Sequence, residues 1–275
     1  MRIDAHQHFW IYEPVRHAWI DDGMKAIRRD FLPSDLQPIL KANGIDGTVA
    51  VQADETEEET EFLLRLAEEN DFILSVVGWV DLKHADAEAR LQVLKAHRKL
   101  SGFRCIMQGR PDEEYLSDRK FLEGIGRLQQ YGFRYDLLVH HDQMPSLLRF
   151  TDRFPDQPFM LDHLGKPAIA MGEIRRWRED IRVLSRHPHT YCKLSGMVTE
   201  ARRDRWSYND LAPYMETAAE FFGIERLCFG SDWPVCLAAA DYATVADTVN
   251  RFLSQVGEAE RERVMGLNAK QFYGI

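Results

Sequence analysis

Two spacings of apolar residues alternate along the chain from one end to the other. Short runs rich in β-branched and aromatic residues begin near Ile3, Thr48, Ile73, Gly102, Arg134, Phe159, Tyr191 and Arg226. Between them apolar residues recur at helical spacing, as in Phe121, Ile125 and Leu128, in Ile174, Trp177, Ile181 and Leu184, and in Val245, Val249 and Phe252. A period near 3.6 marks one buried face of a helix, and a short compact apolar run marks a buried strand. Strand–helix alternation predicts parallel pairing, because a crossover helix must carry the chain back to the same end of the sheet. Eight such units at intervals of roughly 25–45 residues fit a closed (β/α)8 barrel better than an open sheet.

Local signals support the count. Ser34 is expected to cap a helix holding Leu36, Ile39 and Leu40, which Asn43-Gly44 would end. Pro145 or Ser146 is expected to open the helix of Leu147 and Leu148. No Pro-, Gly- or Ser-rich linker interrupts the chain, so one domain over residues 1–275 is expected. The long exception is the segment 9–30 after the first strand, which carries Trp10, Tyr12 and Trp19. In a barrel this loop lies on the active-site face, where it serves as a binding loop, as an aromatic mini-core over the rim, or as both.

Composition narrows the partners. The net charge is −9, and no cluster of Lys and Arg interleaves with aromatics, which speaks against nucleic acid. The longest apolar run, Ile73 to Val80, is far too short to span a bilayer, and no signal pattern opens the chain, so a cytoplasmic location is expected. The four cysteines, Cys105, Cys192, Cys228 and Cys236, form no C-x-x-C pair and are expected to be free thiols.

A barrel holds its reactive groups at the C-terminal ends of its strands. Reading each expected strand to its end gives His6 and His8, Gln52, Trp79 with Asp81, Arg104, His140 with His141, His163, Lys193 with Ser195, and Asp232. In Asp4-Ala5-His6-Gln7-His8 the two imidazoles lie two residues apart and face the same way, toward the barrel mouth, while Gln7 faces outward. Two imidazoles on one face suit a divalent cation, or donors aimed at a carbonyl oxygen. His163 closes the sixth strand, with Asp162 expected to face away from it as a structural hydrogen-bonding group. Asp232 closes the eighth and is placed to take a proton from water, with a helix N-cap as the alternative. Trp10, Trp19, Gln52, Trp79, Arg104 and Trp233 are the candidate substrate contacts, the tryptophans as ring platforms and Arg104 as a fixed guanidinium. Core packing and rim salt bridges are the alternatives for them. No G-x-S-x-G elbow and no phosphate-cradling glycine motif is present.

The segments Asp4–His8, Leu161-Asp162-His163 and Phe229-Gly230-Ser231-Asp232-Trp233-Pro234 resemble the amidohydrolase superfamily, specifically its lactonase branch. Val77-Gly78-Trp79-Val80-Asp81-Leu82, Tyr135-Asp136-Leu137-Leu138-Val139 and Cys192-Lys193-Leu194-Ser195-Gly196 narrow the resemblance to its sugar-lactone hydrolases. The resemblance implies opening of an aldonolactone, such as L-fuconolactone, to the free acid. Asp232 would act as general base, and His6, His8 and His163 would bind one divalent cation with Asp232, zinc by donor type, or polarise the carbonyl directly. Arg104-Cys105 stands where relatives tend to show Arg-His, and no Lys or Glu ends the fourth strand to bridge two metals. A metal-dependent decarboxylase of the same superfamily and a non-catalytic barrel binding sugar or metal are the competing expectations.

Overall fold

The computed structural model describes residues 1–275. Its strands are β1 Ile3–Gln7, β2 Gly47–Val51, β3 Ile73–Gly78, β4 Leu100–Ile106, β5 Arg134–Leu138, β6 Phe159–Leu161, β7 Thr190–Leu194 and β8 Leu227–Phe229. They pair in parallel in sequence order, so the sheet is the wall of a (β/α)8 barrel. The eighth strand is too short to close it alone. Closure runs through the residues just beyond it: the amide of Asp232 donates to the His6 carbonyl at 2.8 Å, and that of His8 donates to the Trp233 carbonyl at 2.7 Å. The seam of the barrel and the candidate site are therefore the same stretch of backbone. Gly230 makes that seam possible, since a Cβ there would lie 2.8 Å from the His6 Cβ and 3.1 Å from the Ser195 Cβ.

Helices cover the outside of every strand. The one over Pro33–Ala42 starts a residue before the expected cap: Leu32 holds the cap position and its amide donates to the Asp35 side chain at 2.9 Å. Pro33 fits the first helical turn because its missing N–H has no helical partner there. Asn43 and Gly44 end it as expected, Gly44 taking a left-handed φ of 64°. The main apolar core lies between barrel and helices. A smaller cluster fills the barrel floor, where Ile3, Val49, Val77, Met160 and Cys228 meet Phe272 and Tyr273 of the C-terminal helix Asn268–Tyr273. No helix is long and apolar enough to cross a membrane.

Strand alternation is broken in β1. Its register to β2 shifts between Asp4 and Gln7, which lets Ala5 join the apolar floor while His6, the next residue, meets the polar centre of the barrel. Asp4 turns the other way and accepts from the Ser231 amide, the Ser231 hydroxyl, the Tyr242 hydroxyl and the His6 amide. One buried carboxylate thus ties β1 to the end of β8.

Beside the barrel mouth, Glu59 of the helix Glu57–Glu69 is buried, its carboxylate accepting from the Ala53 amide at 3.1 Å. Burial pushes its pKa up to about 7, against that hydrogen bond. Between about pH 4.5 and 7 the folded protein holds a proton that the unfolded chain releases, so this group makes folding less favourable as pH rises through that window. Glu59→Gln keeps the acceptor and removes the charge. It should be more stable than wild type by about 3 kcal/mol at pH 8 and equal to it near pH 4. Paired urea titrations at the two pH values check this, and a variant less stable at pH 8 refutes it.

Candidate active site

The structure brings His6, His8, His163 and Asp232 together from three separate parts of the chain. The His6 Nε2, His8 Nε2 and His163 Nε2 atoms lie 3.7, 3.5 and 3.8 Å from one oxygen of Asp232, Oδ1. All four side chains are buried. His6 lies in β1 and His8 one residue past its end, but His163 and Asp232 do not stand on regular strand. The strand β6 ends at Leu161, and His163, Leu164, Gly165 and Lys166 all have positive φ, from 46° to 69°. Asp232 shares this conformation, at 57°. Left-handed backbone costs roughly 1–2 kcal/mol for each non-glycine residue, so this turn is held by its surroundings. Trp177 clamps it with an indole bond to the Leu164 carbonyl at 2.7 Å, and the His163 Nδ1 meets the Ser195 hydroxyl at 2.8 Å.

The same turn corrects the expectation for Asp162. Strand alternation would point it away from His163, but the backbone has already left the strand. Ligand atoms of His6, Asp162 and His163 lie within 4.8 Å of one another. Asp162 accepts from the Arg104 guanidinium at 3.0 Å and pairs with the Lys193 ammonium at 2.9 Å. Asp136, which sequence reasoning did not single out, pairs with Lys193 from the other side at 2.5 Å. This buried group of two carboxylates and two cations lies directly behind His6. Its signal was present only as polar residues inside otherwise apolar strands.

Burial lowers the pKa of all three imidazoles, that of His163 to about 4, so they stand neutral near pH 7. Burial alone would raise Asp232. Positive charge on the surrounding imidazoles, His163 foremost, which they carry once acid protonates them, together with a hydrogen bond from His8, outweighs it and holds the carboxyl well below the usual range. An ionised carboxylate beside neutral rings suits base catalysis over a wide pH range.

Above this group opens a cavity of about 390 Å³, lined by His8, His163, Asp232, Arg104 and Trp19 among others. The structure places the remaining expected contacts elsewhere. Trp10 packs against Trp19 and Phe31 with its indole N–H on the Arg29 carbonyl. Trp233 packs against Phe9 and Phe31. Gln52 lies behind Arg104, accepting from its guanidinium at 2.8 and 3.1 Å. Trp79 is half-buried against the outer core. Cys105 belongs to that core too, so its side chain is absent from the cavity wall. His140 and His141 follow the end of β5 and do not line the cavity. Residues that strand periodicity does not reach add to the wall: Arg16, Glu55, Arg110, Lys166 and Arg203 from irregular segments, and Glu200 from the short helix Met197–Glu200. Glu55 pairs with Arg110, and Lys166 with Glu200 at 3.3 Å, so the rim offers paired donors and acceptors suited to hydroxyl groups.

The donor set passes a test for a cation. Ligand atoms of His6, His8 and Asp232 lie within 4.8 Å of one another, and the His8 Nδ1 is occupied by the Val51 carbonyl at 2.7 Å, which leaves its Nε2 free to coordinate. Imidazole nitrogens with one carboxylate oxygen are a donor set that zinc accepts.

Comparison with known proteins is consistent across sequence and structure. Residues 3–275 match the amidohydrolase family model. An L-fucono-1,5-lactonase of Burkholderia multivorans is 39% identical over 286 aligned residues, covering 100% of this chain and 96% of that protein. An L-fucono-1,5-lactonase of Burkholderia ambifaria is 39% identical over 284, with the same coverage. The crystal structure of a Burkholderia multivorans amidohydrolase with bound zinc superimposes with a TM-score of 0.96 at 40% identity, over 100% of this chain and 99% of that one.

Proposed function

The chain belongs to the amidohydrolase family, and from that membership and its cavity we propose that it hydrolyses an aldonolactone to the aldonic acid. The observation that carries this reading is the meeting of an ionised carboxylate with three imidazole Nε2 atoms, 3.5 to 3.8 Å away, at a cavity wall to which Asp232, His8 and His163 contribute and behind which His6 is buried. The 39% identity to lactonases over the whole chain supports the substrate class.

In this reading Asp232 accepts a proton from water as the water oxygen bonds to the lactone carbonyl carbon. The carbonyl oxygen, now an oxyanion, lies against N–H donors from the imidazole group and Arg104. Collapse of the tetrahedral intermediate breaks the bond to the ring oxygen, which takes the proton back from Asp232 as it leaves. Base catalysis and oxyanion stabilisation each supply about a hundredfold or more, enough for an ester that is already electrophilic. Trp19, half exposed at the mouth, and the paired charges of the rim hold the hydroxylated ring. His6, His8 and Asp232, with His163 alongside, would hold one divalent cation, zinc by donor type, which when bound supplies a Lewis acid for the carbonyl.

Purified protein offered L-fucono-, L-galactono- and related lactones should release acid, followed with a pH indicator. No acid above background across such a panel removes the reading, and carbon dioxide release from hydroxybenzoates would replace it with decarboxylation. Metal analysis, with rates before and after chelation, decides whether the cation is needed.

A further inference from the structure

Behind the imidazoles, toward the barrel floor, Lys193 of β7 is fully buried. Its Nζ lies 2.5 Å from Asp136 Oδ2, 2.9 Å from Asp162 Oδ1 and 3.0 Å from His6 Nδ1. Asp136 also accepts from the Tyr273 hydroxyl at 2.8 Å, which ties the cluster to the C-terminal helix. Two carboxylates facing Lys193 and Arg104 are balanced when both are cations.

An ammonium has hydrogens to give and no lone pair to offer. The His6 nitrogen that it faces must therefore be an acceptor. The Asp162 Oδ1 lies 3.3 Å from the same nitrogen but closer, 2.9 Å, to the ammonium, which is its nearer donor, so the three hydrogens of Lys193 meet Asp136, Asp162 and the His6 Nδ1. A neutral imidazole with its lone pair on Nδ1 carries its hydrogen on Nε2. A second proton, on Nδ1, would point at the ammonium.

His8 is under the opposite constraint. Its Nδ1 faces the Val51 carbonyl, which only accepts, so the hydrogen sits on Nδ1 and the lone pair on Nε2. The two Nε2 atoms are 3.2 Å apart. An N–H of one ring then meets the lone pair of the other, as two independent contacts on their far sides require. Arg104 Nη1, with two hydrogens, donates to Asp162 at 3.0 Å and also lies 3.3 Å from the His6 Nε2. Lys193 is the nearer cation, at 3.0 Å from Nδ1, and the His8 lone pair is nearer to Nε2, at 3.2 Å, so these two closer contacts set the tautomer.

Resting on the hydrolytic reading above, we propose that Lys193 is a positioning residue that fixes the His6 ring with its proton on Nε2, so that His6 presents an N–H to the centre of the site. His6 is then a ready donor for a developing oxyanion, and a cation binding through its Nε2 must first displace that proton against Lys193.

Long-range proton–nitrogen correlation spectra of the metal-free protein, labelled at the histidine nitrogens, read the tautomers directly. His6→Asn and His8→Asn assign the signals. His6 should show a protonated Nε2 and a bare Nδ1, and His8 the reverse. A His6 ring protonated on Nδ1, alone or with Nε2, overturns the proposal. In Lys193→Met the His6 preference should be lost and kcat should fall about tenfold or more, with KM changed less. Wild-type kcat with an unaltered His6 signal in that variant also overturns it. The wild-type spectrum needs no substitution, so a variant that fails to fold does not shelter the proposal. Absence of lactone hydrolysis would end the functional reading while leaving the spectra just as decisive.

Discussion

Asp232→Asn should fold like wild type, keep its KM for an aldonolactone within a few-fold, and turn over about 10³-fold more slowly. The size of the effect follows from what else lines the cavity. Asp54, Glu55, Glu200 and Asp232 are its four carboxylates. Arg16 lies 3.8 Å from Asp54, Arg110 pairs with Glu55, and Lys166 lies 3.3 Å from Glu200. Asp232 alone faces neutral imidazoles in place of a fixed cation, so no other carboxylate is free to take a proton from water. Asparagine matches its shape and leaves the closing amide bond to the His6 carbonyl intact, which is why stability and binding should survive. Steady-state kinetics with a thermal melt of the same sample test this. A variant retaining a tenth or more of wild-type kcat would falsify the assignment of Asp232 as base.

The barrel was legible in the sequence because parallel strands buried on both faces write themselves as compact apolar runs. Every expected strand start falls within two residues of the observed one, from Ile3 to Leu227. The H-x-H pair was legible for a related reason, since the break in alternation lies between Ala5 and His6, and His8, one residue past β1, again faces the same way as His6. Other features depended on the third dimension. Asp162 was misoriented because four consecutive positive φ angles follow β6, and no periodicity reports a left-handed turn. Trp10 and Trp233 were candidates for the cavity wall, yet the aromatic loop folds them onto Phe31, where they hold the loop. Arg16, Arg110 and Arg203 come from loops of irregular spacing, so only the folded chain brings them to one rim. The pairing of Lys193 with Asp136 and Asp162 required knowing that β5, the end of β6 and β7 face a common interior.

Gly196→Ala should cost catalysis far more than its size suggests, with kcat lowered about a hundredfold or more and a melting temperature several degrees below wild type. Gly196 has a φ of 64°, and a Cβ there would lie 2.6 Å from both Cγ and Nδ1 of His163 and 2.9 Å from its Cβ. Backbone strain contributes about 1–2 kcal/mol for any residue other than glycine. The clash with the ring costs more, because the His163 ring has nowhere to go: its turn is clamped by Trp177, and its Nδ1 is seated on Ser195. Gly172 separates strain from clash. Its φ is 67°, but nothing lies within 4 Å of the place a Cβ would take, so Gly172→Ala carries the strain alone. That variant should lose about 1 kcal/mol of stability and no activity. If both variants lose activity equally, or neither does, the seat of His163 is not what Gly196 protects. A loss confined to Gly196→Ala would show that the glycine is kept by the approach of a ring nitrogen, a constraint that acts on the reaction through the placement of His163 beside Asp232.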